Sequence, residues 1–113
     1  MDSVSEILRD IRDICSSYGH GDKADFIGRL LDETPDTPAF WRAVSGLEFW
    51  GGAGAIWEVE PFYLSHPDSS AARDDHRRFQ TLMVQLADVL KSRDLDRLAA
   101  RTASLFRRRL EES

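Results

Sequence analysis

Cysteine is nearly missing from this chain: Cys15 stands alone, so no disulfide can form within it, and a reducing compartment suits such a sequence. Long apolar runs are missing too. None approaches the ~20 residues that span a bilayer. Residues 1–18 carry Asp2, Glu6, Asp10 and Asp13, unlike the basic and then apolar start of a secretory signal. These absences point to a cytoplasmic protein with no membrane attachment. Lysine is scarce, with thirteen of the fifteen bases being Arg, a skew that often reflects genome composition. Metal-ligand spacing is wanting as well. His20, His66 and His76 show no i, i+3 or i+4 pairing of the kind that helical metal sites use. No metal and no cofactor are therefore expected.

What remains is enough for an ordinary globular domain. A chain of 113 residues suits a single domain, 1–113, and a domain of this size buries roughly two-thirds of its unfolded surface without needing staples. The hydrophobic fraction of 42% and charged fraction of 31% fit that class. The net charge of −5 is unevenly spread: residues 1–60 hold 12 acids and 5 bases, residues 61–113 hold 8 and 10. An acidic first half disfavours nucleic acid as a partner and suits a basic protein.

Helical periodicity dominates. Val4, Ile7, Leu8, Ile11, Ile14, Cys15 and Tyr18 fall on one stripe. Asp2 or Ser3 is placed to cap it, with Glu6 completing a capping box, and Gly19 and Gly21 end it. A second helix is expected from about Lys23 to Asp32, with Asp22 as N-cap and Phe26, Ile27, Leu30 and Leu31 inside. The run from Thr34 to Pro38 is a break, and Thr37-Pro38 reads as the N-cap and first residue of a third helix. That helix turns Phe40, Trp41, Val44 and Leu47 inward. Pro61 and Pro67 bracket an irregular stretch. A long helix follows from Ser69 or Ser70 to about Lys91, and a last one from Asp94. The expected fold is all-α: a compact bundle of about five helices with an irregular Gly/Trp-rich segment in the middle.

Few residues offer chemistry. Cys15 lies on an apolar stripe, which suits an inert thiol better than a nucleophile. A hydrolytic centre would need His66 or His76 to converge with Asp68, Asp74 and Asp75, yet neighbours on a helix point different ways. No catalytic residue is assigned. Arg93, Arg97 and Arg101 stand at i, i+4, i+8, with Arg107, Arg108 and Arg109 beyond. They read first as a solvated helix face and second as an acid-binding stripe.

The unusual segment is Phe49 to Tyr63. Seven of eleven aromatics, including all three tryptophans, lie between residues 40 and 63. Three glycines, Gly51, Gly52 and Gly54, interrupt the helices there. Glycine lets another element or a ligand touch the backbone, and tryptophan supplies large apolar area with one polar N–H. The favoured reading is a joint and core plug. The competing one is a ligand site built from Trp50, Gly51, Gly52, Gly54, Trp57 and Glu58, with Glu60 as a further polar handle. No Gly-Lys-Ser/Thr follows, so a phosphate loop is excluded.

The run Trp50-Gly51-Gly52-Ala53-Gly54-Ala55-Ile56-Trp57-Glu58 resembles the W-G-G-x-G motif of small, uncharacterised bacterial helical proteins. Ala55 stands where those proteins often carry Ser. The resemblance covers about ten residues and implies a bacterial protein of the kind suspected to act as immunity proteins in toxin systems. On this basis the expected function is a non-catalytic protein–protein interaction module, such as an immunity-like inhibitor. Asp32, Glu33, Asp36 and Glu48 would meet a basic partner. The alternative is a small-molecule or nucleotide-binding module using Trp50–Glu58. Amphipathic helices of this kind often pair, so a homodimer is compatible with either.

Overall fold

Helices form where the apolar stripes place them. The computed structural model describes residues 3–33, 36–52, 54–59 and 69–112. In order these give α1 (Ser3–Ser17), α2 (Gly21–Glu33), α3 (Pro38–Val44), α4 (Leu47–Trp50), α5 (Ser70–Ser92) and α6 (Ala99–Glu112). Among the described residues there is no strand. The all-α expectation holds, with five helices plus the single turn α4. The expected caps by Asp2 and the Ser3 side chain lie outside the described residues. So do Thr34 and Pro35 of the break, and Pro61, Phe62, Tyr63 and Pro67.

Capping explains several boundaries. Thr37 accepts a hydrogen bond from the Phe40 N–H at 3.1 Å, ahead of Pro38, which fixes the start of α3 as the sequence predicts. Ser69 does the same for Ala72 at 3.1 Å, opening α5. Gly19 takes φ +81, the left-handed conformation that stops α1.

Three boundaries depart from expectation. Asp22 does not cap α2, which starts one residue earlier, with the Ala24 N–H donating to the His20 carbonyl at 3.0 Å. Asp22 sits instead in the first turn, where its charge still suits the helix dipole. The last helix does not begin at Asp94. That residue takes φ +60, and the Leu95 N–H turns back to the Leu90 carbonyl at 2.8 Å, so α6 starts only at Ala99. Leu47 is not inside: α3 stops at Val44, and Leu47 is 71% exposed.

The helices share one apolar core. α1 packs on α2 and α5, and α5 on α6. Leu8, Ile11, Ile27, Phe49, Phe79, Met83, Leu86 and Phe106 are all fully buried within it. Exposed polar ties link the helices at the surface of this core. Arg78 on α5 pairs with Asp10 on α1 at 3.2 Å, and Arg107 on α6 pairs with Asp88 on α5. At the start of α3, the Trp41 indole N–H donates to Asp36 at 2.9 Å. Arg93 lies 3.7 Å above the Trp41 ring and 3.8 Å from the same carboxylate. A cation over an indole face is attracted by the ring quadrupole, so this trio clamps the α2–α3 turn onto the end of α5. None of the described helices is long and apolar enough to cross a membrane.

The tie between Tyr18 and α5 is titratable. The Tyr18 hydroxyl donates to Asp75 at 2.7 Å. This bond needs the phenol proton, so it pushes the Tyr18 pKa up to about 12, with burial adding to the effect. A raised folded-state value means the stability from this bond is full below the unfolded value near pH 10 and is lost as pH climbs towards about 12. Spectrophotometric titration should therefore find the Tyr18 phenolate forming near pH 12, and Asp75→Ala, which removes the acceptor, should bring it back towards the ordinary tyrosine range. An unchanged titration in that variant would mean the bond does not exist in solution.

Candidate functional site

The glycine segment forms a tight turn under the bundle, pinned by its own tryptophans. α4 ends at Trp50, whose indole N–H reaches the Val44 carbonyl at 2.8 Å inside the core. Trp50 is 5% exposed. Residues 56–59 form a short 3₁₀ turn, which answers the open question between short helix and extended chain. From this turn the Trp57 indole N–H donates back to the Gly51 carbonyl. Both tryptophan donors are thus spent on backbone carbonyls exposed by the turn, which satisfies groups that would otherwise be buried without partners.

Close backbone packing requires glycine at one position in particular. A Cβ on Gly51 would stand 2.6 Å from the Leu47 carbonyl oxygen and 3.1 Å from the Leu47 Cβ. Gly54 is needed for another reason, its φ of +87. A Cβ on Gly52 would meet nothing within 4 Å. Two backbone donors of the segment turn inward: Gly51 N–H to the Leu47 carbonyl at 2.9 Å, and Ala55 N–H to the Gly52 carbonyl at 3.1 Å. Glu58 accepts from the Gly54 N–H at 3.3 Å, so it braces the turn. Ala55 is buried. Glu60 lies outside the described residues.

One side of this turn faces α6 across a cleft of about 520 Å³. Trp50, Gly51 and the half-buried Trp57 form one wall. Leu98, Thr102 and Leu105 form the other, flanked by Arg101 and Arg108. The spacing of these residues places them on a single face of the last helix and the turn before it. Of the six residues read as a ligand set, the structure brings Trp50, Gly51 and Trp57 to this cleft. Gly52 and Gly54 line a separate 260 Å³ hollow with Leu47 and Glu48, and Glu58 lines neither.

The acidic candidates do not gather at one place. Asp32 lines a shallow groove between α1 and α2, beside Arg12, Asp25 and Arg29. Glu33 is exposed at the end of α2. Asp36 is engaged with Trp41 and Arg93, and Glu48 is exposed on α4.

Of the residues weighed for chemistry, the structure describes Cys15, Asp74, Asp75 and His76. Burial pushes the Cys15 thiol up to about 12, against a small opposing effect of Lys23, and the side chain is fully enclosed. That is the setting of an inert thiol. Asp75 holds Tyr18, Asp74 is exposed, and His66 and Asp68 lie outside the described residues. Among the described residues no group of three or more His, Cys, Asp or Glu is placed to hold a metal ion. The arginine stripe is broken, because Arg93 caps α5 and stacks on Trp41, while Arg97 sits in the turn before α6.

The sequence places Arg101 and Arg108 on a solvated face opposite Leu98 and Leu105, whereas all four line the same cleft. Their signal was present: Leu98 and Leu105, like Arg101 and Arg108, recur seven residues apart, so one face mixes leucine with arginine. No family model, curated protein or solved structure matches this chain.

The contrast between neighbouring glycines gives a direct check of the wall. Gly51→Ala should destabilise the fold by about 1–3 kcal/mol, because the backbone must shift to admit the Cβ. Gly52→Ala, in open space, should stay within about 0.5 kcal/mol. Urea unfolding measures both, and equal effects would mean that Gly51 does not pack on α4 as described.

Proposed function

We propose that the chain is a non-catalytic binding module whose ligand, a small molecule, sits in the cleft between the Trp50–Trp57 turn and α6. The observation that carries this reading is the cleft itself. Its volume, about 520 Å³, falls in the range of small-ligand sites, which are mostly apolar with a few placed polar groups. Here the apolar groups are Trp57, Leu98 and Leu105, and the polar ones Arg101, Thr102 and Arg108. The indole donors are consumed internally, so a ligand would meet ring surface on one wall and arginine on the other. A nucleotide held by backbone N–H groups of residues 51–55 is disfavoured, because the donors of Gly51, Gly54 and Ala55 are taken.

A second reading is the immunity-like interaction module in a bacterial cytoplasm. It draws on the exposed pair Leu47 and Glu48, an apolar anchor beside an acid that would suit a basic protein surface. Asp32 and Glu33, exposed at the end of α2, would offer a separate acidic patch.

One experiment separates the two. A panel of small aromatic and aliphatic metabolites is screened by thermal shift, and hits are titrated by tryptophan fluorescence. The cleft reading expects at least one hit whose binding is lost in Trp57→Ala and kept in Leu47→Asp. A protein captured from a toxin-bearing bacterial host and released by Leu47→Asp, with no metabolite hit, would overturn it in favour of the second.

A further inference from the structure

We propose that the cleft selects an organic anion: a carboxylate or phosphate group carried on a flat apolar body, with Arg101 and Arg108 holding the acid and Trp57 facing the body. This rests on the cleft being the binding site. Its first support is the charge of the lining. Among the described residues the cleft carries two arginines and no acid. Three other hollows differ. The groove between α1 and α2 balances Arg12 and Arg29 with Asp25 and Asp32. The one between α5 and α6 balances Lys91 and Arg107 with Asp88 and Asp96. The one beside α4 has Glu48 and no base.

The second support is what the arginines are doing. Arg12, Arg78, Arg93 and Arg107 each reach a carboxylate. Neither Arg101 nor Arg108 takes part in an ion pair among the described residues. A guanidinium offers five donors in a fixed plane that matches two oxygens of a carboxylate or phosphate. Seven residues along a helix separate the two Cα atoms by about 10 Å. Long side chains span that gap, so both can close on one acid from opposite sides, with Leu105 beneath. The chain as a whole is negative, at −5, but screening at physiological salt has a length of about 8 Å. An anion inside the cleft is therefore governed by the two adjacent guanidinium groups.

The test compares ligands that differ only in charge. 1-Naphthylacetate, its neutral amide 1-naphthylacetamide, and 1-naphthyl phosphate are titrated by calorimetry and by NMR of the Trp57 indole N–H. Wild type, Arg101→Gln and Arg108→Gln, which alter exposed side chains, are followed by both methods, and Trp57→Phe, which keeps a ring but loses the indole N–H, by calorimetry alone. The proposal expects the two anions to bind roughly tenfold or more tighter than the amide, as charge-assisted bidentate pairs do. Each Gln variant should remove most of that preference, and rising salt should weaken the acids alone. Which anion binds tighter separates carboxylate from phosphate as the natural group. Equal binding of acid and amide, or acid binding untouched by both Gln variants, would overturn the proposal while leaving the cleft as an apolar site. Failure of all three probes to move the Trp57 signal, together with a metabolite screen without hits, would overturn the cleft reading itself.

Discussion

The hydrogen bond from the buried Trp50 indole to the Val44 carbonyl is the constraint from which the middle of the molecule follows. α3 ends at Val44, and its last carbonyls need donors. Ser45 supplies one bond, its hydroxyl donating to the Trp41 carbonyl at 2.7 Å. Trp50 supplies another from inside the core. An unpaired carbonyl in that position would cost about 1–3 kcal/mol, so the indole anchors α4 against α3. With Trp50 held, Gly51 is pressed against Leu47, its carbonyl is left to Trp57, and the turn closes. The joint and the cleft wall are therefore the same object. Trp50 plugs the core, and Trp57 remains half-buried with its ring at the edge of the cleft.

Charge is arranged around this frame in two ways. Arginines that meet a carboxylate fasten elements together: Arg78 joins α5 to α1, Arg107 joins α6 to α5, and Arg93 joins the end of α5 to the α2–α3 turn. These pairs are exposed, so each contributes little on its own, though Arg93 adds a stacking contact with Trp41. Arg101 and Arg108 follow a different pattern. They stand on a helix face whose inner neighbours, Ala99, Ala103 and Phe106, are already anchored in the core, so their placement is set by packing. A positive cleft in a negative chain results from the register of α6.

Much of this was legible beforehand because it depends on local rules. The stripe of α1, the span of α5, the Thr37-Pro38 start and the Gly19 stop all rest on spacing and capping, and all appear as read. What escaped the sequence depended on long-range contacts. Asp94 in a left-handed turn is a tertiary choice that shortened α6 and broke the arginine stripe. The exposure of Leu47 followed from α3 stopping at Val44, which the apolar spacing alone does not reveal. The Trp50–Trp57 segment stands out by composition, but nothing local points to α6 as the element across the cleft from it. Arg101 and Arg108 lie some fifty residues away in sequence, and nothing local joins them to a tryptophan. Glu58 was read as a polar handle for a ligand, whereas here it braces Gly54. Such a short-range bond is plausible for any acid four residues from a glycine turn and is visible only in three dimensions.

Hydrogen exchange at the indole nitrogens tests the central claim most directly, because it separates the two roles assigned to one segment. If Trp50 is the anchor, its indole proton should exchange only through global unfolding, as slowly as the core amides around Leu86. The Trp57 indole proton, half-buried at the cleft edge, should exchange faster through local opening. A Trp50 indole that exchanges as fast as that of Trp57 would contradict the account, since the wall of the cleft would then have no fixed anchor in the core.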